Sequence, residues 1–377
     1  MSTSRSARSS TSTSMIRISA RDGACMRQLL DSVPIVIRSE DDLSRYLRTS
    51  WILRADSVLQ LNERTALRFF PADEADRLTE TLRKRNVFAR HSWENSFYLQ
   101  RARDLANKTV IEIYRPGDPD DMMDEAANTA NLVEKIALLS AILSLSRKSI
   151  HRRLAIHEHR RSEFDLTIGK GYRYLRSKSR PEGEVYGIPV DTRFARRFDR
   201  CGFPELLALL THQGDLSRRI QLSIDWLFES RLEPRLTAAL VKTSIALESL
   251  LIFSESESLG ASLAERSAFI LGRTAESRQQ VSRLVKDFYD ARSGVVHGNR
   301  RKRRKLSDQL LEAADRVVLL LCLTIAANVD KWNSQEAIRE WCESQRWGSP
   351  ASDVVVPFPT RYLNNALNTF SKTDLTN

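Results

Sequence analysis

Cysteine is scarce in this chain. Cys25, Cys201, Cys322 and Cys342 lie far apart, and no two stand at CxxC spacing. That argues against a disulfide scaffold or a zinc site and for reduced thiols in a reducing compartment, the cytoplasm being the expectation. Long apolar runs are missing too. The longest, Val317–Ala327, is broken by Thr324. It falls short of the roughly 20 residues a membrane span needs and predicts a buried helix. The first residues have no apolar centre, so no secretory signal is expected. No Walker motif, GxSxG or HExxH occurs, and no internal repeat is evident. The familiar phosphate-loop, serine-hydrolase and zinc-protease signatures are therefore absent.

What is present in excess is positive charge. Lys and Arg number 59 against 48 Asp and Glu, giving a net charge of +11 and a pI near 9.7. Six of those cations form one run: Arg300, Arg301, Lys302, Arg303, Arg304 and Lys305. Such an excess favours polyanionic partners, nucleic acid first and an anionic membrane surface second. A solvated face kept soluble by charge is the plainer alternative, and a nuclear-import-like patch has the same composition. At 377 residues, 41% hydrophobic and 28% charged, the chain has room for two cores on a prior of roughly 150 residues each.

The expected fold is mainly α, a C-terminal helical bundle preceded by an α+β N-terminal domain. Residues 1–22 read as a Ser/Arg-rich disordered tail. An organellar transit peptide shares that composition. Residues 23–200 mix signals. Leu43, Tyr46 and Leu47 have helical spacing within Asp41–Ala55. Short strands are predicted at Val58–Leu61, Ala66–Phe70 and Val110–Tyr114, with a helix at Ala72–Arg85 between them. Met122–Arg153 reads as one long helix. Phe164–Ile168 alternates as a strand does, with Tyr172–Arg176 as its hairpin partner, and Val190–Phe198 reads as one more extended piece. From Gly202 strand signals stop. Helices are predicted at 204–213, 216–231, 234–253, 261–271, 276–296, 306–329 and 334–347, joined briefly enough for antiparallel neighbours in a bundle over residues 201–347. Residues 348–377, with Pro350, Pro357 and Pro359, are expected to be loosely ordered.

One stripe within the bundle is informative. Val281, Val285 and Phe288 stand at i, i+4 and i+7, and the next position on that line is Arg292. An arginine there needs a partner or a cleft. On the earlier helix, Val241, Ile245 and Ile252 form a line that includes Glu248, a carboxylate needing a cation or several donors. Glu248 is therefore expected to orient Arg292. The alternative is that both only snorkel from the edges of their faces. His297 follows Arg292 by five residues, about 140° round an ideal helix. A lone histidine at a helix end is ordinarily a cap.

The string Arg292–His297, RSGVVH, matches the R-x4–6-H motif of HEPN domains. The longer DFYDARSGVVHG resembles the Apea-like HEPN subfamily, in which Tyr289, the Arg292-Ser293 pair and the Val-His-Gly close have counterparts. Thr243–Leu250, TSIALESL, is similar to that subfamily's Ala-Leu-Glu segment. The resemblance covers about residues 204–345. It implies a metal-independent endoribonuclease without cofactor, usually a homodimer and often acting in bacterial defence or toxin systems. On that resemblance Arg292 holds the scissile phosphate and His297 is the acid or base, with Glu248, Ser293 and Tyr289 in support. Arg300–Lys305 would then grip RNA phosphates, giving affinity with little sequence preference. Ser293 stands where many HEPN nucleases have Asn, Asp or His. Some members have lost catalysis and only bind RNA, nucleotides or each other, which is the alternative reading.

Three further clusters carry weaker signals. His151, His157 and His159 have poor spacing for metal ligation from one helix. The acids Asp118, Asp120, Asp121, Asp124 and Glu125 suit a helix start better than a divalent ion. Gly169-Lys-Gly171 reads as a hairpin turn.

Overall fold

Leu43–Thr49 is a strand (β1) at the centre of the sheet, although its apolar residues are spaced like those of a helix. The computed structural model describes residues 43–50, 53–55, 58–62, 64–84, 99–100, 102–116, 119–154, 159–168, 173–182, 187–212, 214–253, 258–303, 305–346 and 354–371. Five more strands complete the sheet: β3 (Val58–Asn62), β4 (Thr65–Phe70), β5 (Lys108–Pro116), β6 (His159–Ile168) and β7 (Arg173–Glu182), in the order β3-β4-β5-β1-β6-β7. Every pairing in it is antiparallel. β2 (Leu53–Ala55) pairs in parallel with β8 (Ile188–Val190).

The helical spacing in Asp41–Ala55 misleads because β1 is buried on both faces. On one face Leu47 packs with Phe70, Ala75, Leu78 and Val110, beneath helix α1 (Ala72–Lys84). On the other, Arg48 Nη1 donates to Ala127 O at 3.3 Å and to Asn131 Oδ1 at 2.5 Å, both on α2 (Pro119–Ile142). A strand covered on two sides loses its alternation.

A charged group binds α1 to the sheet. Glu112, fully buried, accepts from Arg45 Nε and Arg68 Nε, each at 2.5 Å, and from the Tyr114 hydroxyl at 2.7 Å. Arg68 and Arg45 also reach Glu74 on α1.

The long helix expected over Met122–Arg153 is two, α2 and α3 (Arg147–Leu154). The break comes where Ser146 Oγ accepts from Ser149 N at 3.2 Å, so that a serine starts the second helix. Arg147 then turns into the bundle and donates to the carbonyls of Ser230 and Glu233. The extended piece expected at Val190–Phe198 is only β8, followed by helix α4 (Thr192–Arg200). Asp191 caps that helix by accepting from Phe194 N at 2.8 Å, a signal the apolar pattern overrides.

Among the described residues no strand follows Val190, and the helices expected from Gly202 onward are there: α5 (Phe203–Leu210), α6 (Asp215–Leu232), α7 (Leu236–Leu251), α8 (Leu259–Leu271), α9 (Ala275–Val296), α11 (Asp308–Ala326) and α12 (Gln335–Ser344), with one short helix not expected, α10 (Arg300–Arg303), between α9 and α11. The chain is mainly α, with an α+β N-terminal part. α11 is the axis of the bundle. Val317 to Ala326 are all buried, as in a helix surrounded on every side. It packs against α5, α6, α7, α8 and α9. α2 touches the sheet on one side and α5, α6 and α11 on the other, and every described element belongs to the unit Ser39–Asn377.

Of the tail expected to be loosely ordered, the described residues 354–371 are packed. Helix α13 (Arg361–Ser371) buries Tyr362, Leu363, Ala366, Leu367 and Phe370 and lies on α11. Its approach is fixed at Gly202 (φ 78°), where a Cβ would stand 2.6 Å from Pro357 Cβ. Prolines here shape a docked segment. Among the described residues no helix is long and apolar enough to cross a membrane.

Candidate functional site

α9 carries the candidate residues, and both its ends are well defined. Thr274 and Ser277 form a capping box at its start, with Ser277 N donating to Thr274 Oγ1 at 3.1 Å and Thr274 N to Ser277 Oγ at 2.9 Å. At its end the backbone N–H of His297 donates to Ser293 O at 3.0 Å. Gly298 follows at φ 70°, the left-handed turn that lets a chain leave a helix. Between these ends Val281, Leu284, Val285, Phe288, Ala291 and Gly294 are buried.

The expected pairing of Glu248 with Arg292 is present. Arg292 Nη2 stands 3.6 Å from Glu248 Oε1, with side chains 21% and 22% exposed. That is an ion pair rather than a close hydrogen bond. Among the described residues, the buried atoms Glu248 Oε1 and Arg292 Nε have no hydrogen-bond partner. Tyr289 completes the group. Its ring centroid lies 5.4 Å from the Arg292 guanidinium carbon, and its hydroxyl donates to Glu248. Burial pushes the Glu248 carboxyl above its ordinary value, against the opposing pull of Arg292 and Tyr289. Burial and the neighbouring Glu248 charge likewise push Tyr289 up. Gly260, on α8, makes room for the phenol: a Cβ there would meet Tyr289 Cδ1 at 3.1 Å.

The line Val241, Ile245, Glu248 and Ile252, expected as the buried stripe of α7, is instead half-buried. The fully buried face is Leu240, Thr243, Ser244, Leu247, Leu250 and Leu251. Both lines have helical spacing. Thr243 sits in the core because its hydroxyl donates to the buried Asp315 at 2.7 Å, which periodicity cannot anticipate. Glu248 thus stands at the rim of the bundle, where a carboxylate is cheaper to hold.

His297 is not part of this group. It is the exposed C-cap of α9, about 140° round the helix from Arg292. Ser293, half-buried, lies between them and takes the His297 N–H on its carbonyl.

The cationic run folds back on α9. Asn299 Oδ1 accepts from Arg301 N at 3.1 Å and Lys302 N at 3.2 Å, starting the single turn of α10. Lys302 Nζ lies 2.9 Å from Asp290, and Lys305 Nζ lies 2.6 Å from Asp287 and 3.0 Å from Asp290. Hydrogen bonds from Lys302 and Lys305 hold the Asp290 carboxyl below its ordinary value. Those to Asp287 and Asp290 raise Lys305. Arg300 and Arg301 are exposed and, among the described residues, have no acidic partner. Arg304 and the side chain of Arg303 lie outside the described residues. The run therefore presents some free cations and some that the protein itself occupies. Asp287 and Asp290 were not singled out from the sequence. Their i, i+3 spacing puts them on one face, but which cations reach them depends on the turn at Gly298.

His157 and the side chains of His151 and His159 lie outside the described residues. Among the described residues no three His, Cys, Asp or Glu side chains gather as a metal site would need. Glu125 pairs with Arg115 in the first turns of α2. β6 and β7 pair with Ile168 opposite Arg173, so the chain reverses between them, and Gly169-Lys-Gly171 itself lies outside the described residues. No protein-family model, no curated protein and no solved structure matches this chain.

Proposed function

We propose that this protein is a metal-independent endoribonuclease of the HEPN type, acting as a pair of identical chains. The observation that carries the reading is the state of Arg292: a guanidinium at the rim of the bundle, braced by Glu248 and Tyr289, with a fifth of its side chain open to solvent. A braced arginine suits an anionic ligand because its fork is already oriented. Val296 stands one turn beyond it and is 49% exposed, apolar surface that a second copy would cover.

In this reading Arg292 binds the scissile phosphate and stabilises the charge that gathers on it. The His297 imidazole of the second copy takes the proton of the ribose 2′-hydroxyl as O2′ bonds to phosphorus and the bond from phosphorus to O5′ breaks. The departing oxygen then takes that proton from the same imidazolium, leaving a cyclic phosphate and a 5′-hydroxyl. Arg300 and Arg301 add phosphate contacts that require no particular sequence. A non-catalytic RNA-binding module is the second reading. It is favoured by the ion pair with Glu248 that already occupies Arg292.

The test is cleavage of mixed RNA in EDTA by the purified full-length chain. Cleavage should fall by roughly 100-fold or more in His297→Ala, the scale of a lost general acid or base, while RNA binding persists. Mixing Arg292→Ala with His297→Ala should restore about a quarter of the wild-type rate if each site takes one residue from each chain, since half the dimers are then mixed with one intact site. Cleavage unchanged in His297→Ala overturns the nuclease, and binding without cleavage in the wild type establishes the second reading.

A further inference from the structure

A groove of about 830 Å³ runs between α8 and α9, on the side of α9 away from Arg292. Phe269, Arg278, Arg283, Lys286, Asp287 and Asp290 line it, with Glu265 at its edge. Its charge is one-sided once neighbours are counted. Glu265 is engaged by Arg346 at 2.7 Å, Asp290 by Lys302, and Asp287 by Lys305. Arg278 donates to neutral acceptors, the Gly272 carbonyl at 3.2 Å and the Gln345 amide oxygen at 3.4 Å. Lys286 and Arg283 are exposed. The groove and its immediate partners are therefore net cationic.

The position of this groove bears on His297. With 100° per residue, Lys286 and Asp290 each lie within about 20° of His297 round α9, whereas Arg292 is about 140° away. Lys286 precedes His297 by about 16 Å along the axis. The groove thus lies on the same side of α9 as the position of His297 and ends at Asp290, about 10 Å before it along the axis, and the exposed Arg300 and Arg301 follow His297 in the chain. Phe269 adds a ring with the Arg278 guanidinium carbon 5.0 Å from its centroid, the kind of planar surface on which a base stacks. Two packed helices with axes about 8–10 Å apart leave a channel for one backbone strand and no room for a duplex.

We infer that the α8–α9 groove binds one single-stranded segment of RNA and guides it to His297, with Arg283 and Lys286 on its phosphates. This rests on the RNA-cleaving reading above. It adds a path on each chain's own surface that the Arg292 group does not touch.

The experiment measures binding of a fluorescent single-stranded RNA to the full-length chain by anisotropy across 50–200 mM salt. The proteins compared are wild type, Arg283→Ala/Lys286→Ala and Arg300→Ala/Arg301→Ala, all exposed positions. Losing two phosphate contacts on a single strand should lower the slope of log K against log salt by about 1.4 in the groove variant. Cleavage should slow at RNA concentrations below saturation and recover at saturation. A duplex of the same length should be insensitive to the groove variant. If the groove variant keeps the wild-type slope while Arg300→Ala/Arg301→Ala lowers it, the groove is overturned and the RNA reading stands. If the wild type shows no salt-sensitive binding, both fall. A slope change equally large on the duplex overturns the single-strand assignment.

Discussion

The bundle should be unusually sensitive at Asp315, in the middle of α11. This carboxylate is fully buried. It accepts from Arg231 Nη1 at 2.8 Å and from Thr243 Oγ1 at 2.7 Å, and Arg147 Nη1 stands 3.7 Å away. Ser230 Oγ lies 2.7 Å from Thr243 Oγ1 and extends the chain of contacts. One anion therefore serves two buried guanidinia and joins α3, α6, α7 and α11. In Asp315→Leu both guanidinia lose the buried carboxylate they share, a cost of about 3–5 kcal/mol. The Thr243 hydroxyl loses its acceptor as well, adding about 1 kcal/mol. Removing the Arg231 charge too, in Arg231→Met/Asp315→Leu, relieves most of the first cost, because a well-packed apolar pair replaces a buried ion pair at little loss. Arg147 keeps its carbonyl acceptors on Ser230 and Glu233. Urea unfolding monitored by tryptophan fluorescence gives all the midpoints. The double variant should be at least 2 kcal/mol more stable than Asp315→Leu, a coupling in the range of contacting residues. If Asp315→Leu costs under about 1 kcal/mol, or the double variant is no better, the pair is not what holds these helices.

Two other outcomes follow from charged groups already described. Burial pushes Glu112 up, but Arg45 and Arg68 outweigh it and leave its carboxyl below the ordinary value. The stability it contributes is present above the unfolded value of about 4.3 and lost as pH falls through the folded one. Urea midpoints should therefore drop below about pH 4.3 in the wild type, and less steeply in Glu112→Gln. An equally steep drop in both refutes the assignment. On α9, Asp287→Asn/Asp290→Asn frees Lys302 and Lys305, so the salt slope for RNA should steepen by about 1.4. An unchanged slope would mean that neither lysine reaches phosphate.

How far the sequence could be read follows from which signals are local. The stripe Val281, Val285, Phe288 and the arginine that ends it are local, and the structure buries the first three and pairs the fourth. The helices after Gly202 are local too, since each carries its own periodicity. β1 was illegible because its burial depends on α1 and α2 arriving from elsewhere, and two covered faces erase the period of two. The packed tail was illegible for a related reason. Pro357 is a loop signal until Gly202 is known to lie beneath it. On α7 two apolar lines competed, and the choice went to the one containing Thr243, because a buried aspartate on another helix needed its hydroxyl.

The five-residue spacing from Arg292 to His297 has a consequence that the fold sharpens. A capping box fixes where α9 begins and Gly298 fixes where it stops, so neither residue can slide into the other's sector without unwinding the helix. One sector holds a guanidinium braced by Glu248 and Tyr289. The other holds the exposed His297, on the same side of α9 as the groove beside α8. A phosphate lying on Arg292 of one chain is therefore badly placed for His297 of the same chain. An acid–base step must act within hydrogen-bond reach of the atoms it serves. The two sectors can serve one phosphate if a second chain turns its own α9 towards the first, exchanging the roles by symmetry. On the proposed reading, a chain acting alone holds its two residues on different sides of α9 and cannot bring both to one phosphate. The number of chains in the active species and the existence of cleavage are thus one question, and the same helix geometry poses both.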